Sequence, residues 1–517
     1  MLQIKNLNIT HKKDLREIMK DFSLVLNHGD KAVIIGEEGN GKSTLMKWIY
    51  DPELAERYVE CRGERILGKE KLCYLPQELP EAEREMTIYE FFAASTFFFD
   101  YSPKELTQMA KEFRVETDFF YREQRMGTLS GGEKIKAQLM RILMEKPTVL
   151  LLDEPSNDID IATLEFLEEL INNWEYIVLY ISHDETLIEN TANMVIHLEQ
   201  LKRKTEPKFT VAKMPYRQYV EERIHNFDRQ EQQALNERRE KRKRDERFAK
   251  IYLDVQTQLA GCSRQEPAIA KNLKDKMHSV KAMERRFERE DENMTEIPEQ
   301  EEAIFFKLGN KELAIPAGKT VIEYELDELL TPDGERVLAR DIKLEMRGNK
   351  KVCIIGNNGA GKTTLLKKIA ALLLERKDIH AQYIPQNYED ILDMSQTPVD
   401  FLDTTGDKEE RTRIRTYLGA LRYTADEMDH PISELSGGQK AKVLLLKISL
   451  SKTNVLILDE PTRNFSPLSG PVIRKILAEF PGAIISISHD RKYIDEVCDI
   501  IYELTENGLV EWENKKS

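Results

Sequence analysis

The chain is poor in the features that would make it a metal, disulfide or membrane protein. Only five cysteines occur in 517 residues, Cys61, Cys73, Cys262, Cys353 and Cys498, and no two form a CxxC pair. That scatter argues against a zinc site, an iron–sulfur cluster and a disulfide framework. Cys73 and Cys353 lie in apolar, strand-like runs and read as core. No apolar run approaches the ~18 residues a membrane-spanning helix requires. The opening MLQIKNLNIT lacks the basic-then-apolar order of a secretory leader. A cytoplasmic protein with no membrane partner is expected. The formal net charge of −15 argues against a molecule that coats nucleic acid with its whole surface, although a local basic element could still bind it.

What is present is a duplication. LSGGE at 129–133 recurs as LSGGQ at 435–439, and each copy lies between an upstream glycine-rich loop and a downstream LLLDEP or LILDEP run. Lys42 to Lys362 is an offset of 320 and Gln77 to Gln386 one of 309, whereas Gly131 to Gly437, Glu154 to Glu460 and His183 to His489 are all 306. The halves therefore keep one register from signature to final histidine, and the second is trimmed before its glutamine. The expected fold class is α/β: two tandem P-loop ATPase domains of about 200 residues each, joined by a long antiparallel α-helical hairpin. The expected boundaries are 1–200, 201–298 and 299–517.

GEEGNGKS (36–43) follows the apolar run 32–35 and precedes a helical pattern through Leu45, Met46 and Ile49; GNNGAGKT (356–363) has the same setting. Strand, loop and helix in that order make a phosphate loop, whose backbone N–H groups wrap an anion at a helix N-terminus. The expected nucleotide contacts are Gly36, Glu37, Glu38, Gly39, Asn40, Gly41, Lys42, Ser43 and Thr44 in the first half. In the second they are Gly356, Asn357, Asn358, Gly359, Ala360, Gly361, Lys362, Thr363 and Thr364. Lys42 and Lys362 suit the outer phosphates, and Ser43 and Thr363 offer a hydroxyl to Mg²⁺.

ATP hydrolysis needs one carboxylate for the ion and one for the water. Asp153 and Asp459 are expected on Mg²⁺, Glu154 and Glu460 on the attacking water, and His183 and His489 on the γ-phosphate. Ser130, Gly131 and Gly132, with Ser436, Gly437 and Gly438, should meet the γ-phosphate held by the opposite half, from helices beginning near Lys134 and Lys440. Gln77 and Gln386 resemble the glutamine that senses Mg²⁺ in such cassettes. Two departures predict unequal sites: PSNDID puts Asp160 where the second half, PTRNFSPLS, has Ser466, and the latter adds Arg463. No aromatic stands where adenine would stack, which leaves GTP open beside ATP.

Between about 202 and 298 glycines are few and charged runs long. Apolar residues recur at Val220, Ile224 and Phe227, at Phe248, Tyr252, Val255 and Leu259, and after a break at Leu273, Met277, Val280, Met283 and Phe287. That spacing predicts an antiparallel coiled hairpin, with Gly261, Cys262, Ser263 and Arg264 at its tip. If its first helix runs from Arg217 to Leu259, it spans about 65 Å. Clusters such as 238–244 are basic and suit phosphate contact, although alternating charge on a long helix is usually only a solvated face.

Two cassettes, a charged hairpin between them, and the signatures LSGGEKIKAQL and LSGGQKAKVLL resemble the ABC-F class of ribosome-associated ATPases over essentially the whole chain. The LDEPTRNFSPLS segment (458–469) looks most like the antibiotic-resistance branch of the Vga and Lsa type. The resemblance implies ATP-dependent docking of a monomer in the E site of the 70S ribosome. It also implies that the tip residues 261–264 reach P-site tRNA and the 23S rRNA of the peptidyl-transferase centre, to protect translation from lincosamides, pleuromutilins and streptogramin A compounds. A housekeeping factor for stalled ribosomes is the alternative within the class. An ATPase subunit of a transporter is the alternative outside it, disfavoured by the basic hairpin. A DNA-repair ATPase is disfavoured by the missing zinc-binding cysteines.

Overall fold

Strands buried on both faces read as continuous apolar runs, and those of 32–35, 149–152 and 177–181 are buried throughout. The computed structural model describes residues 1–201, 205–261, 267–292, 294–295, 314–331, 333–421 and 423–512. In the first half the strands are β1 (Leu2–His11), β2 (Glu17–Leu26), β3 (Lys31–Ile35), β4 (Val59–Ile66), β5 (Leu72–Leu75), β6 (Val149–Asp153), β7 (Ile177–Ile181), β8 (Met194–Leu201) and β9 (Glu206–Ala212). They form a six-stranded sheet of order β5-β6-β7-β3-β8-β9 and an antiparallel sheet of order β2-β1-β4.

The second half repeats the plan with β10 (Thr320–Leu330), β11 (Val337–Arg347), β12 (Lys351–Ile355), β13 (Ala381–Ile384), β14 (Val455–Asp459), β15 (Ala483–Ile487), β16 (Ile500–Thr505) and β17 (Gly508–Glu511). Their order is β13-β14-β15-β12-β16-β17, beside a β10-β11 pair. In each main sheet only the last pairing is antiparallel. The architecture is two tandem α/β ATPase cassettes. β9 runs to Ala212 and pairs with β8, so the first sheet extends past the expected edge at residue 200. Its alternating, half-buried residues lack the apolar run that marks the other strands.

The P-loop helix of each half, Lys42–Tyr50 or Lys362–Leu374, packs between the two sheets of its cassette. Leu45, Met46 and Ile49 share a core with Ile4, Phe22 and Leu151; Leu365, Leu366 and Ile369 share one with Ile322, Leu344 and Ile457. Cys73 and Cys353 are buried, as expected.

The chain forms two compact units, Met1–Tyr216 with Glu301–Ser517, and Arg217–Gln300. Both cassettes belong to the first unit. The second is the hairpin: one helix spans Tyr216–Ala260 and the other Pro267–Glu292. Phe248 meets Phe287 edge-on at 5.8 Å, and Arg244 and Lys241 pair with Asp291. Val255, Leu273 and Val280 are buried as the stripe predicts, but Ile224 is exposed. Gly261 is an exposed turn residue whose N–H bonds the Thr257 carbonyl at 3.0 Å. Cys262, Ser263 and Arg264 lie outside the described residues.

Within the first unit a cluster of opposite charges joins the cassettes. Arg474, 3% exposed, pairs with Glu185 at 2.8 Å; Lys492 pairs with Glu185 at 2.9 Å and Glu189 at 2.6 Å; Arg491 pairs with Glu168 and, at 3.5 Å, with Asp184. The first cassette supplies these acids and the second the bases, with Glu496 of the second cassette a further partner of Arg474 at 2.8 Å. Breaking a buried pair leaves a charge short of its partner, at a cost of about 3–5 kcal/mol. Arg474→Ala should therefore lower the denaturation midpoint by roughly that free energy, near the lower end because Lys492 still holds Glu185. An unchanged midpoint in urea titration would show that the cluster is ornamental.

Candidate active sites

Each P-loop is shaped by glycines in backbone conformations that other residues rarely adopt. Gly36 and Gly356 have φ of 145° and 142°, and a Cβ on Gly36 would lie 2.2 Å from the Leu198 carbonyl oxygen. The loop thus wraps tightly enough for Lys42 to donate to the carbonyls of Gly36 (2.8 Å) and Glu37 (3.1 Å), and for Lys362 to do the same at Gly356 (2.7 Å) and Asn357 (3.0 Å). The Asn40 amide turns away to the Leu198 carbonyl at 3.0 Å. That bond ties the Asn40 side chain to β8.

Asp153 and Asp459 end β6 and β14 beside the P-loops. Ser43 donates to one Asp153 oxygen at 3.0 Å and Tyr74 to the other at 2.9 Å. Thr363 bonds Asp459, whose Oδ2 is buried without a hydrogen bond. A bare carboxylate oxygen next to a P-loop hydroxyl is the donor set a hard, oxygen-seeking Mg²⁺ takes, so the residues fit that ion.

The next residue is strained in both halves: Glu154 and Glu460 have φ of 51° and 53°, a conformation that costs energy and tends to persist where function requires it. Their electrostatics differ. Burial pushes the Glu154 carboxyl up, but His183 at 3.4 Å, the Lys42 charge and Asn157 overcome it and hold the group down at about 2. Gln77 also donates to Glu154 at 3.0 Å. Burial wins at Glu460, raising it to about 8, because His489 offers only a 3.3 Å backbone N–H and the Asp459 charge adds to the penalty. Burial and the Lys362 charge hold His489 down near 4, hence uncharged at neutral pH.

The signature helices begin at Gly131 and Gly437, three residues earlier than expected, because Ser130 and Ser436 cap them. Ser130 donates to Glu133 at 2.7 Å, and both serines accept the backbone N–H three residues on at 3.3 Å. The expected opposition of halves is present. Ser130 and Gly131 line a cavity of about 570 Å³ with Gly359, Lys362, Thr363, Gln386, Glu460 and His489 of the second cassette. On the other side Gly438 donates its N–H to Glu38 at 3.0 Å, so the second signature meets the first P-loop.

Asp158 bridges the halves at that cavity. Arg463 grips it with two bonds of 2.8 and 2.9 Å, Gln386 donates to it at 3.1 Å, and Asn358 donates to its carbonyl at 2.6 Å. Asp160 caps the helix Ile161–Asn173 at the Thr163 N–H. His183 donates its Nδ1–H across the boundary to the Phe465 carbonyl, 2.8 Å away. Sequence reasoning missed Asp158, Tyr74, Lys442 and Ser469, and it missed Leu338, an aliphatic side chain against Gly361 in the cavity wall. For Asp158 the signal was available: it sits two residues closer to the carboxylate pair than the aspartate chosen by register.

Such an arrangement can hold two nucleotides, each between one P-loop and the other half's helix N-terminus. The family described as ABC transporter matches at residues 19–157 and 339–463, half of the chain, in two copies that each run from ahead of the P-loop past the carboxylate pair. The chain belongs to the ABC transporter family. It is 28% identical over 523 residues to Ribosome protection protein VmlR of Bacillus subtilis (strain 168), covering 97% of this chain and 86% of the relative. It is 25% identical over 546 residues to ABC transporter F family member 5 of Arabidopsis thaliana, covering 96% and 73%. Among solved structures, the complex of archaeal ribosomal stalk protein aP1 and archaeal ribosome recycling factor aABCE1 shares the fold with a TM-score of 0.57 at 16% identity, covering 96% of this chain and 87% of that one. No helix among the described residues is long and apolar enough to cross a membrane.

The two glutamates should respond to neutralisation in opposite ways. Glu460 titrates above its ordinary 4.5, so its contribution is fully present below that value and falls as pH rises toward about 8. Glu154 titrates below 4.5, so it stabilises above that value and the gain is lost as pH falls toward about 2. At pH 8 without nucleotide, Glu460→Gln should raise the melting temperature and Glu154→Gln lower it, each by about 2 °C or more. Thermal denaturation at pH 8 and at about pH 4 checks this, since the Glu460→Gln gain should vanish below the ordinary 4.5.

Proposed function

We propose that the chain is a monomeric, cytoplasmic ABC-F ATPase whose cassettes close on ATP and Mg²⁺ and reopen on hydrolysis, and that this cycle controls its docking in the E site of the 70S ribosome. Asp153 and Asp459 hold Mg²⁺ with Ser43, Thr363 and the glutamines Gln77 and Gln386; Glu154 and Glu460 orient water; His183 and His489 contact the γ-phosphate. The two signatures supply backbone N–H groups to the opposite nucleotide. The observation that carries this reading is the cavity in which the first signature faces the second P-loop, with Glu460 and His489 in its wall.

The ribosomal part rests on the relatives and on the hairpin. One relative is named a ribosome protection protein, and the first hairpin helix has 45 residues, about 67 Å at ~1.5 Å per residue. Its basic runs suit RNA phosphates. The hairpin tip, 261–264, then acts on P-site tRNA and the 23S rRNA of the peptidyl-transferase centre, protecting translation from lincosamides, pleuromutilins and streptogramin A compounds.

Glu154→Gln with Glu460→Gln should bind ATP, fail to hydrolyse it and stay on ribosomes; sedimentation free of ribosomes in ATP, under conditions where the parent binds, would refute the cycle. Deleting residues 261–265 should preserve ATPase activity while cell-free translation loses protection against a lincosamide or pleuromutilin. If the deleted protein protects as well as the parent, the hairpin is a spacer and a housekeeping role in translation takes its place.

A further inference from the structure

The two P-loops carry opposite chemistry at matched positions: Glu37 and Glu38 in the first stand where Asn357 and Asn358 stand in the second. The glutamates are engaged across the cassette boundary. Glu37, whose side chain is 13% exposed, accepts from Ser469 at 2.8 Å and Ser466 at 3.1 Å, and Lys442 approaches its other oxygen to 3.7 Å. Glu38 takes the backbone N–H of Gly438 at 3.0 Å, a donor at the start of the second signature helix.

The surrounding residues are matched to those carboxylates. Position 466 is serine where the first half has Asp160; an aspartate there would stand against Glu37. Lys136, the counterpart of Lys442, feels the charge of Asp160 from its own cassette. In one half, then, the lysine has its carboxylate from its own loop, and in the other from the opposing P-loop. Asn358 binds the Asp158 carbonyl and brings no charge to its site.

We propose that Glu37 and Glu38 set the specificity of the first composite site as a built-in pair of anions. They occupy second-cassette donors that phosphate would otherwise take, so the second site binds ATP tightly and the first admits it only by displacing carboxylate. The proposal rests on the ATPase reading above. Nucleotide phosphates entering beside two carboxylates face like-charge repulsion and one fewer free N–H, whereas Asn357 and Asn358 impose neither.

Equilibrium binding of Mg·ATPγS to the full chain tests it. The parent should take one equivalent tightly and a second roughly tenfold or more weakly, about 1.4 kcal/mol. Lys362→Ala should abolish the tight equivalent and Lys42→Ala should spare it. Glu37→Asn with Glu38→Asn, which copies the second P-loop, should bring both equivalents to like affinity. Glu38→Asn alone, at an exposed position, should narrow the gap and guards against a folding defect at Glu37. Two equal sites in the parent, loss of the tight equivalent in Lys42→Ala, or an unaltered gap in both asparagine variants would overturn the proposal. A parent that binds no nucleotide would instead refute the ATPase reading itself.

Discussion

Everything in the cassette unit depends on one electrostatic demand: a helix N-terminus presents N–H groups and partial positive charge that want an anion. Each signature helix faces the opposite P-loop with that end, and glycine lets the helix start pack against the loop that follows its own cassette's carboxylate pair. A Cβ on Gly131 would lie 1.9 Å from the Asp158 carbonyl oxygen, and one on Gly438 2.9 Å from that of Asn464. A side chain at either glycine would push the D-E loop and the signature apart. The loop that closes one site therefore also positions the residues that reach toward the other.

From this geometry the inequality of the sites follows. At the second site the bridging acid is Asp158, fixed by two bonds from Arg463, and planar bidentate pairing of that kind resists rotation as well as separation. At the first site the bridging acids are Glu37 and Glu38, contributed by the P-loop itself. The two strained glutamates diverge in the same sense: Glu154 is surrounded by His183, Asn157 and Gln77, whereas Glu460 is buried with less hydrogen-bonding support and holds its proton to about 8. Duplication conserved the backbone, down to φ values near 50° at both glutamates, while the charges around it changed sides.

The parts legible in the sequence were those with local spacing. Strand, phosphate loop and helix follow from apolar runs broken by obligatory glycines, and the 306-residue register located both carboxylate pairs and both histidines. Contacts between residues some 300 to 430 positions apart carry no such mark. Asp160 was singled out because register pairs it with Ser466; it caps its own helix while its charge acts on Lys362 and His489 of the second cassette, and the direct bonds across the boundary fall to Asp158. β9 escaped notice because an edge strand with alternating burial has no apolar run. The signature serines also cap their own helices, a role the sequence leaves unmarked because a capping box and a phosphate site use the same residues at a helix start.

The charge cluster at Arg474, Arg491 and Lys492 shows why both halves belong on one chain. With Glu168, Asp184, Glu185 and Glu189 on the first cassette facing Arg474, Arg491 and Lys492 on the second, pairing two copies of either cassette by the same geometry would set these like charges together, at a free-energy cost that grows with their burial. The Glu37 contact works in the same direction, because a first cassette facing its own copy would bring Asp160 to the place Ser466 holds. Covalent linkage supplies the correct partner at high effective concentration, and complementary charge rejects the wrong one from another molecule. The charge asymmetry that distinguishes the two composite sites is thus the same asymmetry that specifies which surfaces meet.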